Sequence, residues 1–290
     1  MVQTATTGNL ANAQRTIIAA VQFTEEHNSP AMALTEQFTL QRGAKTVTVP
    51  KVAQMTIVDL VDGQDIVDEE EIGMTTVDLT SAEVGAKVVI TDKLLRQSQP
   101  SVFAMVGRQL GEAMARKKDN DVTALYTNLN GGTTIGGAGK FMTLVNFMGC
   151  VTFAKANKFG TMVYAIQHPN AVAHLAKSGA VTPSINYPVP HGFSEDLLKN
   201  FYSNLKPLNG VAVFEDGNIT VDSLKDAIGA IADKSALATL NSVKTKTERQ
   251  RDASRRGTEL VMTADYGVFE LDDLKGAPIT YDADALSTSA

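Results

Sequence analysis

Between residues 98 and 130 the sequence keeps a helical rhythm without a break. Ser98 and Pro100 supply start signals, and Val102, Phe103, Val106, Leu110, Met114, Val122, Leu125, Tyr126 and Leu129 recur at helical spacing. Nearly thirty residues at about 1.5 Å each give a rod about 43 Å long. An element of that length argues against a mostly β architecture. Lys117-Lys118-Asp119 falls in the middle of the rod and is expected to face water or a partner. The rod ends in Asn130-Gly-Gly-Thr-Thr-Ile-Gly-Gly-Ala-Gly, which reads as a glycine-rich loop.

The segments upstream of the rod are β in character. Residues 43–50, 72–80 and 84–91 alternate and are rich in β-branched side chains, which predicts three strands. The last two face each other across Ser81-Ala82-Glu83 and are read as a long hairpin. No Lys or Arg occurs from Val52 to Ala86, where Asp59, Asp62, Asp65, Asp68, Glu69, Glu70, Glu71, Asp78 and Glu83 collect. A β excursion with like charge at its base and a limited apolar face is hard to pack into one compact domain. Before it, Leu10, Ala13, Ile17, Ile18 and Val21 predict a short amphipathic helix over 9–23, too small to bury its stripe alone.

Downstream the pattern is mixed α/β. It predicts a helix over 144–158, a strand over 162–167, a helix over 169–177, a proline-rich loop over 183–192 and a helix over 195–204. A strand follows over 210–215, a turn or short helix over 221–227, and a strand with a helical turn over 228–240. A basic stretch at 244–256, read as a loop, precedes strands at 259–266, with a continuation at 267–270, and around Ile279. Neither an internal repeat nor a low-complexity tract is present.

Composition is globular, with 43% hydrophobic residues, and 26 basic against 32 acidic residues give no basic excess that would pull the whole surface toward nucleic acid. The N-terminus does not read as a signal peptide and no stretch approaches about 18 apolar residues, so a soluble, intracellular protein without a membrane span is expected. The lone Cys150 leaves no intrachain disulfide or cysteine-based zinc cluster and is read as a small buried apolar side chain.

Chemical motifs fail on inspection. The segment 136–140 has Thr134 where a phosphate loop needs glycine, and Phe141 where it needs Ser or Thr. His27, His168, His174 and His191 include no pair at metal-ligand spacing, and His168, before Pro169, suits a capping role. There is no Gly-x-Ser-x-Gly elbow, and the run 68–71 lacks the alternation and central glycine of a calcium loop. The expectation is therefore a chain with no catalytic, metal or cofactor site.

The order of parts, a leading arm, an acidic β excursion, one long helix, a mixed α/β lobe and returning strands, resembles the major capsid proteins of tailed bacteriophages. That α+β fold, the Hong Kong 97-like fold, is shared with herpesvirus shells and encapsulins. The strand-to-helix unit Tyr164-Ala-Ile-Gln-His-Pro-Asn-Ala-Val-Ala-His-Leu and the closing Arg255-Arg-Gly-Thr-Glu-Leu-Val-Met-Thr-Ala-Asp-Tyr-Gly-Val-Phe are similar to segments of those coats. The resemblance implies an N-terminal arm over 1–42, an extended loop and its base over 43–97, and a spine helix with its glycine-rich loop over 98–143, within the peripheral domain. An axial domain over 144–240 and returning peripheral strands over 241–290 complete it.

It further implies self-assembly through pentamers and hexamers in the host cytoplasm into a virion shell around double-stranded DNA, bound without sequence specificity. A separate scaffolding protein, a portal and a decoration protein are the implied partners. No Lys or Asn can be matched to the Lys-to-Asn crosslink of some members, and the arm is too short for a built-in scaffolding segment. The acidic Asp65, Asp68, Glu69, Glu70 and Glu71 are expected to lie over a basic face of the next subunit. Arg108, Arg116, Lys117 and Lys118 of the long helix, or Arg249, Arg251 and Arg255 of the basic stretch, would supply that face. Such pairs steer register more than they supply binding energy. The alternatives are an encapsulin-like compartment, a tail-tube or decoration protein, and an α/β enzyme.

Overall fold

The computed structural model describes residues 30–41, 43–52, 74–97, 101–180 and 210–286. The arm helix over 9–23, the acidic run 65–71, the proline-rich loop and the helix over 195–204 lie outside the described residues.

A four-stranded sheet is built from β1 (Glu36–Thr39), β4 (Ala82–Thr91), β9 (Leu237–Asp252) and β10 (Gly257–Glu270), in the order β1-β9-β10-β4. Strand β1 runs parallel to β9, while β9 and β4 flank β10 antiparallel, with Gly257 opposite both Asp252 and Thr91. The long helix α3 (Ser101–Tyr126) follows a short helix α2 (Asp92–Gln97). Its 26 residues make it about 39 Å long, and it ends at Tyr126, short of the Asn130 that the sequence pattern suggests.

Leu110 and Met114, one turn apart on α3, pack with Ile90, Leu260, Met262, Ala264 and Tyr266 of the four-stranded sheet. Val122 and Tyr126, further along the same helix, join Leu129 in a second and larger core. That core belongs to a five-stranded sheet, in the order β5-β11-β8-β6-β7. Its strands are β5 (Ile135–Phe141), β6 (Val163–Gln167), β7 (Ala212–Glu215), β8 (Asp226–Asp233) and β11 (Gly276–Asp282). Helix α4 (Leu144–Ala156), capped by the Thr143 hydroxyl, and helix α5 (Pro169–Ala180) contribute Phe147, Val151, Ala171 and Leu175 to it. One helix thus carries the cores of both sheets. The chain also crosses between them at two short 3-10 turns, Lys234–Ala236 and Asp273–Lys275.

Four expectations are corrected. The strand ending at Thr80 does not pair with the one beginning at Ala82. Instead β3 (Met74–Thr80) pairs antiparallel with β2 (Thr46–Val52) as a two-stranded ribbon, and β4 passes on to β10. Ser81 is the only residue between β3 and β4, and none of residues 81–83 adopts the positive φ that tight hairpin turns use, so the chain changes partner without reversing. The glycine-rich segment is an edge strand: β5 pairs in parallel with β11, Ile135 opposite Ile279. Gly136, at φ +90, is required there because a Cβ would stand 2.7 Å from the Thr280 carbonyl oxygen.

The basic stretch is the outer half of the β9–β10 hairpin and not a loop. Finally, only Lys117 of Lys117-Lys118-Asp119 faces outward, since Lys118 is 8% exposed and Asp119 fully buried. Cys150 is buried, its sulfur 3.2 Å from the Tyr281 hydroxyl, and the His168 ring nitrogen Nδ1 accepts from the Asn170 amide at the start of α5.

Candidate assembly surface

The ribbon β2–β3 shows a strict two-residue period. Val47, Val49, Val77 and Leu79 turn inward onto Phe38, Leu40, Ala238, Leu240, Phe269 and Leu271, while Thr46, Thr48, Thr76, Asp78 and Thr80 face solvent. Leu79 is fully buried. Lys51 reaches from the ribbon to Asp272 at 2.7 Å, and Thr48 donates to Asp78 across it at 2.6 Å. The start of the acidic excursion is therefore docked on the body, with the last residue of β2, Val52, paired to the first of β3, Met74. Asp65, Asp68, Glu69, Glu70 and Glu71 fall between those two in sequence, outside the described residues.

The basic residues fall into distinct surroundings. On α3, Arg108, Arg116 and Lys117 are exposed, and Lys117 bonds to Asp121 one turn on. Lys118 is enclosed within the subunit. Its ammonium is 3.2 Å from the Thr245 hydroxyl and 5.4 Å from the centre of the Tyr266 ring, whose hydroxyl donates to Asp121 at 2.7 Å. This network ties the helix to the four-stranded sheet.

On β9, strand alternation divides the basic stretch. Arg249 and Arg251 stand opposite Leu260 and Thr258, whereas Lys246 shares a face with Glu248, to which it bonds at 2.9 Å. Arg251 forms a two-pronged pair with Asp92 at 2.6 and 2.7 Å, which pins the hairpin to the start of α2. Arg255 lies 3.6 Å from both Asp252 and Glu259. Asp252 caps the hairpin turn, accepting from the Ser254 hydroxyl and from the amides of Ser254 and Arg255. The Ser254 hydroxyl, followed by those amides, holds its carboxyl below the usual range. Arg108, Arg116 and Arg249 thus remain as outward-facing guanidinium groups, while Arg251 and Arg255 already have partners in their own subunit.

A group that sequence reasoning passed over lies where α3 meets the loop after β7. Asp119 is fully buried and Asp216 is 2% exposed. Asn218 donates its side-chain amide to Asp119 at 3.1 Å and its backbone amide to Asp216 at 2.8 Å. Burial, then the neighbouring Asp216, pushes the Asp119 carboxyl up to about 7, and burial raises Asp216 as well. Among the described residues no set of three or more His, Cys, Asp or Glu side chains is arranged to hold a metal ion, and no helix is long and apolar enough to cross a membrane.

The architecture has known counterparts. The structure superposes on a chain from Mycobacterium phage Che8 with a TM-score of 0.63 at 14% identity, covering 81% of this chain and 84% of that one. The capsid asymmetric unit of cyanophage Pam1 gives a TM-score of 0.65 at 12% identity over 86% and 89% of the two chains. A virus-like particle from Pyrococcus furiosus gives 0.54 at 9% identity over 92% and 97%. No curated protein matches in sequence. The phage capsid protein family, however, matches residues 74–277, from the docked ribbon to the start of β11. By that match the chain belongs to the phage capsid protein family, and its mixed helix-and-sheet architecture is the Hong Kong 97-like fold of a major capsid protein.

Proposed function

We propose that this capsid protein assembles through pentamers and hexamers into the icosahedral shell around the double-stranded DNA genome of a tailed phage, in the cytoplasm of its host. The observation that carries the reading is the ribbon β2–β3, which pairs with no other strand among the described residues. A two-stranded ribbon is marginal in water beyond the point where its own subunit covers it. Neighbouring copies that cover one another's extensions form head-to-tail contacts, which close into rings. The family and fold are those of a structural protein, and the match to phage capsids favours a genome shell over an encapsulin-like compartment.

Within the shell, the acidic span around Asp65, Asp68, Glu69, Glu70 and Glu71 is matched by Arg108, Arg116 and Lys117 of the neighbouring α3 or by the β9–β10 hairpin. Lys118 drops out of this set because it is enclosed in its own subunit. A scaffolding protein, a portal and a decoration protein are the further partners proposed. The test is sedimentation velocity with negative-stain microscopy on the purified chain, alone and with a scaffolding protein. Closed shells or rings of five and six subunits are expected. A persistent compact monomer under both conditions overturns the reading.

A further inference from the structure

Six buried side-chain oxygens among the described residues have no hydrogen-bond partner, and four of them gather in one place. They are Oδ1 of Asp119, Oδ2 of Asp216 and the hydroxyls of Tyr126 and Tyr164. Tyr126 interacts electrostatically with the other three residues. Its position agrees, because Asp119 and Tyr126 stand two helical turns apart on one face of α3, and a helical tyrosine leans back toward the N-terminus. Orphaned buried atoms that cluster in this way call for a common partner.

Asn218 fixes both carboxyls. Its side-chain amide donates to Oδ2 of Asp119 at 3.1 Å and its backbone amide to Oδ1 of Asp216 at 2.8 Å, so one oxygen of each is left over. The Ala31 and Met32 amides of the helical turn α1 (Pro30–Ala33) also reach toward Asp119 and favour its ionised form. Asp119 is fully buried and Asp216 is 2% exposed. A carboxylate oxygen can only accept, and buried negative charge costs heavily unless positive charge meets it. The adjoining cleft of about 410 Å3 deepens the shortfall. Arg116 is the one basic residue of its lining, against Glu112, Glu215 and Asp216.

We infer that this place is a site for a hard divalent cation of the calcium and magnesium class, bound by Oδ1 of Asp119 and Oδ2 of Asp216, with water from the cleft completing its shell. The groups on offer are all oxygens, which suits these ions and not the softer zinc or copper. One or two carboxylates and several waters are enough for such an ion, so a third acidic side chain is not required. The Tyr126 hydroxyl bonds to neither carboxylate directly and meets the ion's water instead. A water without the ion would supply donors but no charge, and would leave two carboxylates repelling each other. Bound there, the ion joins segments distant in sequence: α3 through Asp119, the loop after β7 through Asp216, and α1 through the amides on Asp119.

The test titrates the purified full chain with calcium, magnesium and terbium ions in turn. The chain has no tryptophan, so terbium emission excited through the protein reports a tyrosine beside the ion. Calorimetry should count one ion per chain, and calcium or magnesium should displace terbium, the tighter of the two being the ion the site prefers. The thermal midpoint should rise by about 5 °C once that ion stands about a hundredfold above its dissociation constant. Asp119→Asn and Asp216→Asn should each weaken binding by about tenfold or more, since each removes a charged ligand. Tyr126→Phe should lower the emission while calorimetry still counts the ion. Glu69→Gln, Glu70→Gln and Glu71→Gln together remove the rival acidic run and should leave binding unchanged. A wild-type chain that binds none of the three ions overturns the inference, and that result needs no variant to fold. So does binding that survives both aspartate exchanges and is lost with the three glutamates. The shell reading stands or falls separately, because the ion is counted on the subunit whether or not it assembles.

Discussion

At Gly267 the absence of a side chain holds two layers together. A Cβ there would stand 2.4 Å from the Thr80 carbonyl oxygen, at the end of the ribbon, and 2.6 Å from the Phe269 ring. Gly267→Ala should therefore cost about 1–3 kcal/mol, by the usual cost of forcing volume into a packed site, and chemical denaturation would show it. Residue-level reading of the sequence succeeded where a side chain's chemistry agrees with its surroundings, as for Cys150 and the helix-capping His168. It failed at Lys118 and Asp119, where charge argues for water and position argues for the interior. Ala115, Asp119, Val122 and Tyr126 step along one face of α3 at intervals of three and four, and all four are buried. The periodicity already placed Asp119 on the apolar stripe, and residue type was given too much weight against it.

Among the elements, the longer helices α3, α4 and α5 and most strands were legible because their periods are long enough to dominate. Helices α4 and α5 begin where Thr143 and Pro169 place them, and β6, β10 and β11 lie close to their predicted spans, whereas the strand with a helical turn expected over 228–240 divides into β8, a 3-10 turn and the start of β9 in the other sheet. Strand pairing was not legible, since β3 and β4 are neighbours in sequence but choose partners far away in the chain. Nor was β5, whose sequence Ile-Gly-Gly-Ala-Gly-Lys-Phe has loop composition and becomes a strand only because β11 approaches it closely. The docking of the ribbon rests on Leu79, whose side chain is fully buried against Ala238 and Leu240. Leu79→Ala should remove about 2–5 kcal/mol, and limited proteolysis should cut the chain faster near residues 46–80 while the five-stranded sheet stays protected.

For the whole molecule, the resemblance in order of parts was the strongest signal the sequence carried, and the family match over 74–277 agrees with it. The charge complementarity proposed between subunits is best tested where no internal pair among the described residues confuses the outcome. Arg108→Glu combined with Arg249→Glu should reduce assembly, measured by light scattering, and leave the subunit's circular dichroism intact. The loss should be larger at low than at high salt, because screening already weakens the wild-type attraction there. Normal shell yield at low salt would sink the proposal. Reversing Arg251 or Arg255 instead would also break contacts to Asp92, Asp252 and Glu259 within the subunit.

Strand β11 lies inside its sheet, between β5 and β8, although it is the last strand of the described chain. During synthesis both neighbours must therefore wait with an open edge until residues 276–282 have left the ribosome. A chain stopped after Lys275 should remain unable to complete its core, visible as loss of the cooperative thermal transition. Production of the subunit thus carries its own timer: a copy should become competent to join others only once residues 276–282 have been made, which should keep fragments that stop before them out of the growing particle.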